Sequence, residues 1–77
     1  MLWIHKQKQR YYRLTVNRDL FGDLCLVRTW GSLVDDRGGS KTEVLDNERS
    51  LDSQVHVIKK QRQQREYQLV DERPWGY

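Results

Sequence analysis

The segment LVRTWG, residues 26–31, holds two side chains of the kind that bind nucleic acids. Arg28 and Trp30 are two residues apart, so on a strand they lie on the same face. An exposed indole stacks on bases and sugars, and a guanidinium donates hydrogen bonds to phosphate. The same residue types anchor protein interfaces, and an indole that ends an apolar run can belong to the core. The segment therefore leaves three alternatives open: nucleic-acid binding, protein binding or a core tryptophan.

Further basic residues extend this candidate site. The segment after Ile58 reads KKQRQQRE and contains no apolar residue before Tyr67. Bases at a helix C-terminus are also stabilised by the helix dipole, so this pattern does not by itself require a ligand. In the nucleic-acid interpretation, Gly31 and Ser32 lie beside the indole. The candidate phosphate contacts are then Arg28, Lys41, Lys59, Lys60, Arg62 and Arg65.

No group of residues has the spacing of a catalytic or metal centre. His5 and His56 fall on different predicted elements, and Cys25 is the single cysteine of the sequence. A thiol inside an apolar strand is typically buried and unreactive. Gly38 and Gly39 lack the surrounding pattern and the lysine of a phosphate-binding loop. We therefore expect a protein that is not an enzyme, uses no cofactor or metal, and takes no small-molecule substrate.

Length and composition suit one small domain. The chain has 77 residues, of which 36% are hydrophobic and 32% are charged, so we do not expect a deep catalytic cleft. No stretch approaches the roughly 20 apolar residues of a membrane span, and the N-terminal residues do not follow the order of a signal peptide. We expect a cytoplasmic protein without membrane contact. Its domain is predicted to cover residues 1–70, followed by a flexible tail over residues 71–77.

Charge is distributed unevenly along the chain, although the net charge is only +3. Residues 1–18 carry five bases and no acid, residues 19–48 carry three bases and seven acids, and residues 49–65 carry five bases and one acid. Two basic segments separated by an acidic one are typical of an oriented anion-binding surface. Ordinary solvated faces have the same pattern, so charge alone leaves the type of partner open.

Hydrophobic periodicity predicts the strands. Apolar residues alternate in YYRLTVN, so Tyr12, Leu14 and Val16 share one face of a strand. RDLFGD is the expected turn of a hairpin that leads into a strand from Leu24 to Gly31, and DDRGGS is the next loop. The other predicted strands are LWIHK, SKTEVLDN and EYQLV.

One helix is predicted after these strands. Ser50 is its expected N-cap, and the helix is expected to run from Leu51 to about Arg65. Leu51, Val55 and Ile58 recur at helical spacing, so this face is expected to pack on the sheet. The predicted fold is therefore α+β, with a small antiparallel sheet of four to five strands and one α-helix packed on it.

The order of these features resembles the WGR domain family, which is named for a Trp-Gly-Arg motif. The resemblance covers roughly residues 3 to 69 and rests on QRYY, DLFGD, LVRTWG, the Gly-Gly loop and RQQREY. It implies the same sheet-and-helix fold. Family members include a DNA-binding module of eukaryotic poly(ADP-ribose) polymerases, which meets the end of a broken duplex. Others are short free-standing bacterial proteins, and this chain resembles that kind.

The resemblance also implies roles for individual residues. Trp30 and Gly31 match the first two residues of the motif, and in the polymerase relatives this tryptophan stacks on a sugar at a strand terminus. Arg28 matches a frequent base just before the motif. Tyr12 matches the aromatic residue of an early strand, and Tyr67 matches the closing tyrosine. Arg62 falls where a lysine is common near the helix end.

Three positions depart from the family pattern. Ser32 replaces the motif arginine, which removes a planar cation with five donors and leaves one hydroxyl. Val34 and Glu66 stand where glycines are usual. We expect a non-catalytic module that binds nucleic acid, in particular DNA, through Trp30 and the basic residues. The alternative is a regulatory or protein-interaction module in which Trp30 anchors a partner protein.

Overall fold

The computed structural model describes residues 1–73, which form one five-stranded antiparallel sheet with one helix. The strands are ordered β4-β3-β2-β1-β5, so the last strand lies at the edge opposite β4. This architecture confirms the predicted α+β fold. The elements are β1 (Leu2–His5), β2 (Arg10–Arg18), β3 (Leu24–Ser32), β4 (Gly38–Leu45), α1 (Glu48–Gln64) and β5 (Gln68–Asp71).

Strand register determines which side chains share the face under α1. Tyr12 on β2 lies between Trp3 on β1 and Trp30 on β3, and residues directly opposite one another point to the same side of a sheet. The predicted alternation of Tyr12, Leu14 and Val16 holds, since all three are buried. Ile58 of α1 packs on this face, and its side chain is 1% exposed. The core therefore lies between the helix and one face of the sheet.

The helix begins three residues before the predicted start. Asn47, and not Ser50, is the N-cap, because the Asn47 side chain accepts a hydrogen bond of 2.9 Å from the Ser50 backbone N–H. Asparagine is as good a cap as serine, and Glu48 then lies in the first turn, where the helix dipole favours an acid. The prediction of the cap residue was wrong because both residues have suitable side chains and only the backbone path selects between them.

The two ends of the described chain meet at one side of the sheet. The N-terminal amine donates a hydrogen bond of 2.7 Å to the carbonyl of Leu14 and a second one to the carbonyl of Arg73. Burial lowers the pKa of this amine below its usual value of 8.0. β5 ends at Asp71, one residue into the predicted tail, and residues 74–77 of that tail lie outside the described residues.

Cys25 is buried and free, as predicted, and its burial raises the pKa of the thiol. Within residues 1–73, no helix is both long enough and apolar enough to cross a membrane.

Candidate nucleic-acid interface

Trp30 lies at the end of the helix-covered face and is 40% exposed. Its indole stacks on the ring of Tyr12, with 6.5 Å between ring centroids and 17° between ring planes. On the other side it rests against Gly39, where a Cβ atom would come within 3.1 Å of the indole. The ring is therefore held by two neighbouring strands, and part of its surface remains open to solvent.

Gly31 has a packing role that explains why a glycine follows the tryptophan. A Cβ atom at this position would lie 2.8 Å from the carbonyl oxygen of Arg37 and 2.9 Å from Cε1 of Tyr11. Both distances are shorter than side chains tolerate, and the first involves backbone that cannot rotate away. Gly31 therefore allows the β3–β4 loop to close and the Tyr11 ring to lie across β3.

Arg62, in the last turn of α1, is held between two tyrosines. Its guanidinium carbon lies 4.3 Å from the ring centroid of Tyr12 and 4.9 Å from that of Tyr67. His5 contacts Tyr67 edge to face at 5.3 Å, which supports the outer ring. Only 9% of Arg62 is exposed. Stacking on two aromatic faces stabilises this cation and also sets the plane of its guanidinium.

The turn after α1 places Tyr67 over Arg62. Glu66 has φ of 67°, in the left-handed region, and thereby reverses the chain at the helix end. The backbone N–H of Tyr67 then donates to the Arg62 carbonyl at 3.0 Å. Glycine adopts this conformation without a steric penalty, whereas glutamate does not.

The positive charge of Arg62 has no carboxylate partner in the part of the chain that the structure describes. The ion pairs there join Arg28 to Glu43, Arg37 to Asp35, and Arg73 to Asp71. The Arg62 Nε atom is buried and makes no hydrogen bond. Burying a charge without a partner costs free energy, which a bound anion would offset.

Arg62 and Trp30 line a common groove of about 670 Å³ between the end of α1 and the ends of β2 and β3. Five basic and four aromatic residues line it, together with one acid, Asp35, which pairs with Arg37 at 3.7 Å. Such a surface offers cations to phosphate and flat rings to bases or sugars. The basic and aromatic residues are Lys8, Arg10, Arg37, Arg62 and Arg65, and Tyr11, Tyr12, Trp30 and Tyr67.

The structure brings together part of the predicted site. Trp30, Gly31, Ser32, Arg62 and Arg65 all line the groove. The Ser32 hydroxyl accepts a hydrogen bond of 3.1 Å from the backbone N–H of residue 34, so it supports the loop after β3.

The other predicted contacts lie outside the groove. Arg28 shares a face with Trp30 but is directed under α1, where its Nη2 donates to Gln54 Oε1 at 3.2 Å and lies 3.7 Å from Glu43. The helix covers this part of the sheet, which makes Arg28 half-buried, so the predicted flat surface formed by Arg28 and the indole does not form. Lys41 on β4 and Lys59 and Lys60 on α1 are exposed elsewhere.

Sequence reasoning missed four of the basic and aromatic residues that line the groove: Lys8, Arg10, Tyr11 and Arg37. Lys8 and Arg10 belong to the first basic segment, but no local pattern marks them as part of a site. The signal that would have found Arg10 is strand register. Once Tyr12 is paired with Trp30, Arg10 must lie opposite Ser32. The register of the β2–β3 hairpin therefore places Arg10 and Tyr11 near the indole, and Lys8 lies in the turn that precedes β2.

The family model described as WGR domain matches residues 3–74, which is nearly the whole chain. No curated protein and no solved structure gives a significant match.

Proposed function

The chain belongs to the WGR domain family, and from this premise and the groove we propose that it is a non-catalytic module that binds nucleic acid, DNA in particular, in the cytoplasm. The observation that carries the proposal is the buried guanidinium of Arg62. It makes no ion pair with a carboxylate in the described residues, and it lies in a groove lined mainly by basic and aromatic residues. This combination of charge and stacking surface matches the chemistry of a sugar-phosphate backbone.

In the proposed complex, the guanidinium of Arg62 contacts a phosphate that is bound in the groove. The rings of Tyr12 and Tyr67 fix the guanidinium plane, so little side-chain freedom is lost on binding. The open part of Trp30 stacks on an adjacent sugar or base, an interaction that contributes about 1–3 kcal/mol. Arg10 and Arg65, at the wall of the groove, add further phosphate contacts.

A protein partner is the second candidate, and the apolar rim of the groove favours it. Leu33 and Val34 are 50% and 68% exposed, and Val34 lines the groove close to Trp30. Exposed apolar residues beside an aromatic and arginine pair are typical of protein interfaces. A protein ligand would contact Leu33 and Val34. A nucleic acid would depend chiefly on the basic residues that line the groove.

The test is a titration of labelled oligonucleotides, followed by fluorescence anisotropy, with single-stranded DNA, blunt duplex DNA and RNA at two salt concentrations. We compare Arg62→Gln with Lys60→Gln. Each removes one positive charge from the same helix, but only Arg62 lines the groove. We expect a loss of about tenfold or more for Arg62→Gln and less than about twofold for Lys60→Gln, where tenfold corresponds to about 1.4 kcal/mol.

Salt dependence adds a second criterion. If about three phosphates are engaged on a duplex, the slope of log K against log salt is near −3. Arg62→Lys, which keeps the charge, should retain more affinity than Arg62→Gln. Equal losses in the Arg62→Gln and Lys60→Gln variants would show non-specific attraction and reject the groove. Absence of binding to all three oligonucleotides at low salt would reject nucleic acid as the ligand and leave the protein partner.

A further inference from the structure

β4 forms an edge of the sheet, and within residues 1–73 no strand pairs with its outer side. We propose that two copies of this chain associate through β4, antiparallel about Thr42, to form one continuous ten-stranded sheet. The proposal concerns a surface separate from the groove and rests on the hydrogen-bond pattern and the charge order of this strand.

The direction of each backbone group in β4 follows from its pairing with β3. The Ser32 N–H donates to the Arg37 carbonyl at 2.9 Å, one position beyond the pair Gly31 and Gly38. In an antiparallel ladder, hydrogen-bonded pairs alternate with pairs that are not bonded. Odd-numbered residues of β4 therefore point their N–H and C=O groups towards β3. The even-numbered residues Ser40, Thr42 and Val44 point theirs outwards.

The hydrogen bond between β3 and β2 supports the same assignment. The Leu33 N–H donates to the Gln9 carbonyl at 2.8 Å, so an odd-numbered residue at the end of β3 bonds towards β2. Odd-numbered residues of β3 bond to β2, so its even-numbered residues bond to β4. The free groups of Ser40, Thr42 and Val44 can therefore form six backbone hydrogen bonds with the same groups of a second copy. These are two between the Thr42 residues and four between Ser40 and Val44.

Charge order selects one register. When the two-fold axis passes through Thr42, Lys41 of each copy lies opposite Glu43 of the other. These residues form the non-hydrogen-bonded pairs, in which opposing side chains are closest. Opposite charges at such positions stabilise strand pairing, and like charges oppose it.

The neighbouring registers are disfavoured by the same residues. The match between outward-pointing groups is preserved whenever the axis passes through a residue, and the two nearest alternatives are shifts of the axis by one residue along β4. One shift places Lys41 opposite itself and the other places Glu43 opposite itself, and each puts two like charges in contact. The strand is therefore self-complementary in one register and repulsive in the two beside it.

The strand is also accessible and regular. Ser40, Lys41, Thr42 and Val44 are exposed. The pairing of β4 with β3 runs without a bulge from Gly38 to Leu45, whereas the other edge strand, β5, has only four residues and a register shift at its pairing with β1. A lysine commonly protects an edge strand from pairing. In the proposed dimer, Glu43 of the second copy lies opposite this lysine, while it also lies 3.7 Å from Arg28 of its own chain.

The expected dimer is weak and reversible, because strand pairing buries little apolar surface compared with stable interfaces. Opposing residues point to the same side of an antiparallel sheet, so both helices and both grooves face the same way. Two sites on one face would raise the avidity for a long charged ligand.

The experiment is sedimentation equilibrium of the full chain from about 10 µM to about 1 mM, where the weak interfaces of this class are populated. We expect the apparent mass to rise towards twice that of one chain. Thr42→Pro removes an N–H that points away from β3, and proline is tolerated on the outer side of an edge strand. It should remain folded and stay monomeric at all concentrations. The matched control Thr42→Val keeps the N–H and should dimerise like the wild type.

A charge-reversal cycle gives an independent test. Lys41→Glu alone should abolish dimerisation, and the double variant Lys41→Glu with Glu43→Lys should restore it. Because Glu43→Lys also removes the ion-pair partner of Arg28, the stability of the double variant is compared with that of the wild type by urea denaturation. A wild-type mass equal to one chain at about 1 mM would overturn the proposal. So would a dimer that persists in Thr42→Pro, since the association would then use another surface. Failure of the double variant to recover, with circular dichroism showing it folded, would reject the proposed register.

Discussion

Two tryptophans contact Tyr12 from opposite sides, and we expect their removal to have different consequences for stability and for binding. Trp3 meets the Tyr12 ring edge to face at 6.0 Å and is 2% exposed, whereas Trp30 stacks on it and is 40% exposed. The perturbation is Trp30→Ala compared with Trp3→Ala. The first removes the open ring of the groove, and the second removes a core side chain.

Burial sets the expected magnitudes. Truncating a fully buried aromatic to alanine costs about 3–5 kcal/mol, which is the expectation for Trp3→Ala. Since about three-fifths of Trp30 is buried, scaling by that fraction gives about 2–3 kcal/mol for Trp30→Ala. The whole domain is expected to have a free energy of unfolding of about 4–12 kcal/mol. Trp30→Ala should therefore remain folded at room temperature, and Trp3→Ala should be largely unfolded if the domain lies at the lower end of that range.

The assay is urea denaturation followed by far-ultraviolet circular dichroism, which does not depend on the tryptophans that are removed. Oligonucleotide binding is then measured on the folded Trp30→Ala protein and is expected to fall by about tenfold, the equivalent of about 1.4 kcal/mol of stacking. The reasoning is refuted if Trp30→Ala costs as much stability as Trp3→Ala, because Trp30 would then act as a core residue. It is also refuted if the folded variant binds as tightly as the wild type.

Three further predictions concern single positions. Gly31→Ala should lower the free energy of unfolding by about 1–3 kcal/mol through the clash with the Arg37 carbonyl, and an unchanged melting temperature would contradict this packing role. Glu66→Gly should raise stability by about 1 kcal/mol, because glycine relieves the left-handed backbone at φ 67°; a loss of stability in urea denaturation would argue against strain at this turn. Hydrogen bonds from Arg73 lower the pKa of Asp71 from 3.8 to about 2, so the ionised carboxylate stabilises the fold above pH 3.8 and this contribution is lost as the pH falls towards 2. Nuclear magnetic resonance titration of the Asp71 carboxyl checks the value, and Asp71→Asn should make stability less sensitive to pH across that range.

Local sequence signals were sufficient to predict the strands and the helix but not to predict which residues meet at the site. Alternation predicted β2, and helical spacing predicted the buried face of α1, since these periods depend only on which residues are apolar. The cap of α1 at Asn47 was missed because neighbouring polar residues compete for it. Arg28 was expected beside the indole from its place on the strand, but α1 crosses over it and Glu43 and Gln54 bind its guanidinium.

The sequence by itself determined the fold class and the family, and it placed Trp30 at the end of a strand. Tertiary structure explains why a glycine follows, since a side chain at position 31 would collide with the Arg37 carbonyl. Tertiary structure decided which charges meet that tryptophan. Arg62 reaches Tyr12 only because α1 folds back across the sheet, and Arg10 reaches the groove through the register of β2 with β3. Periodicity fixes the face on which a side chain lies, whereas the convergence of residues far apart in the chain depends on register and helix packing, which no short segment encodes.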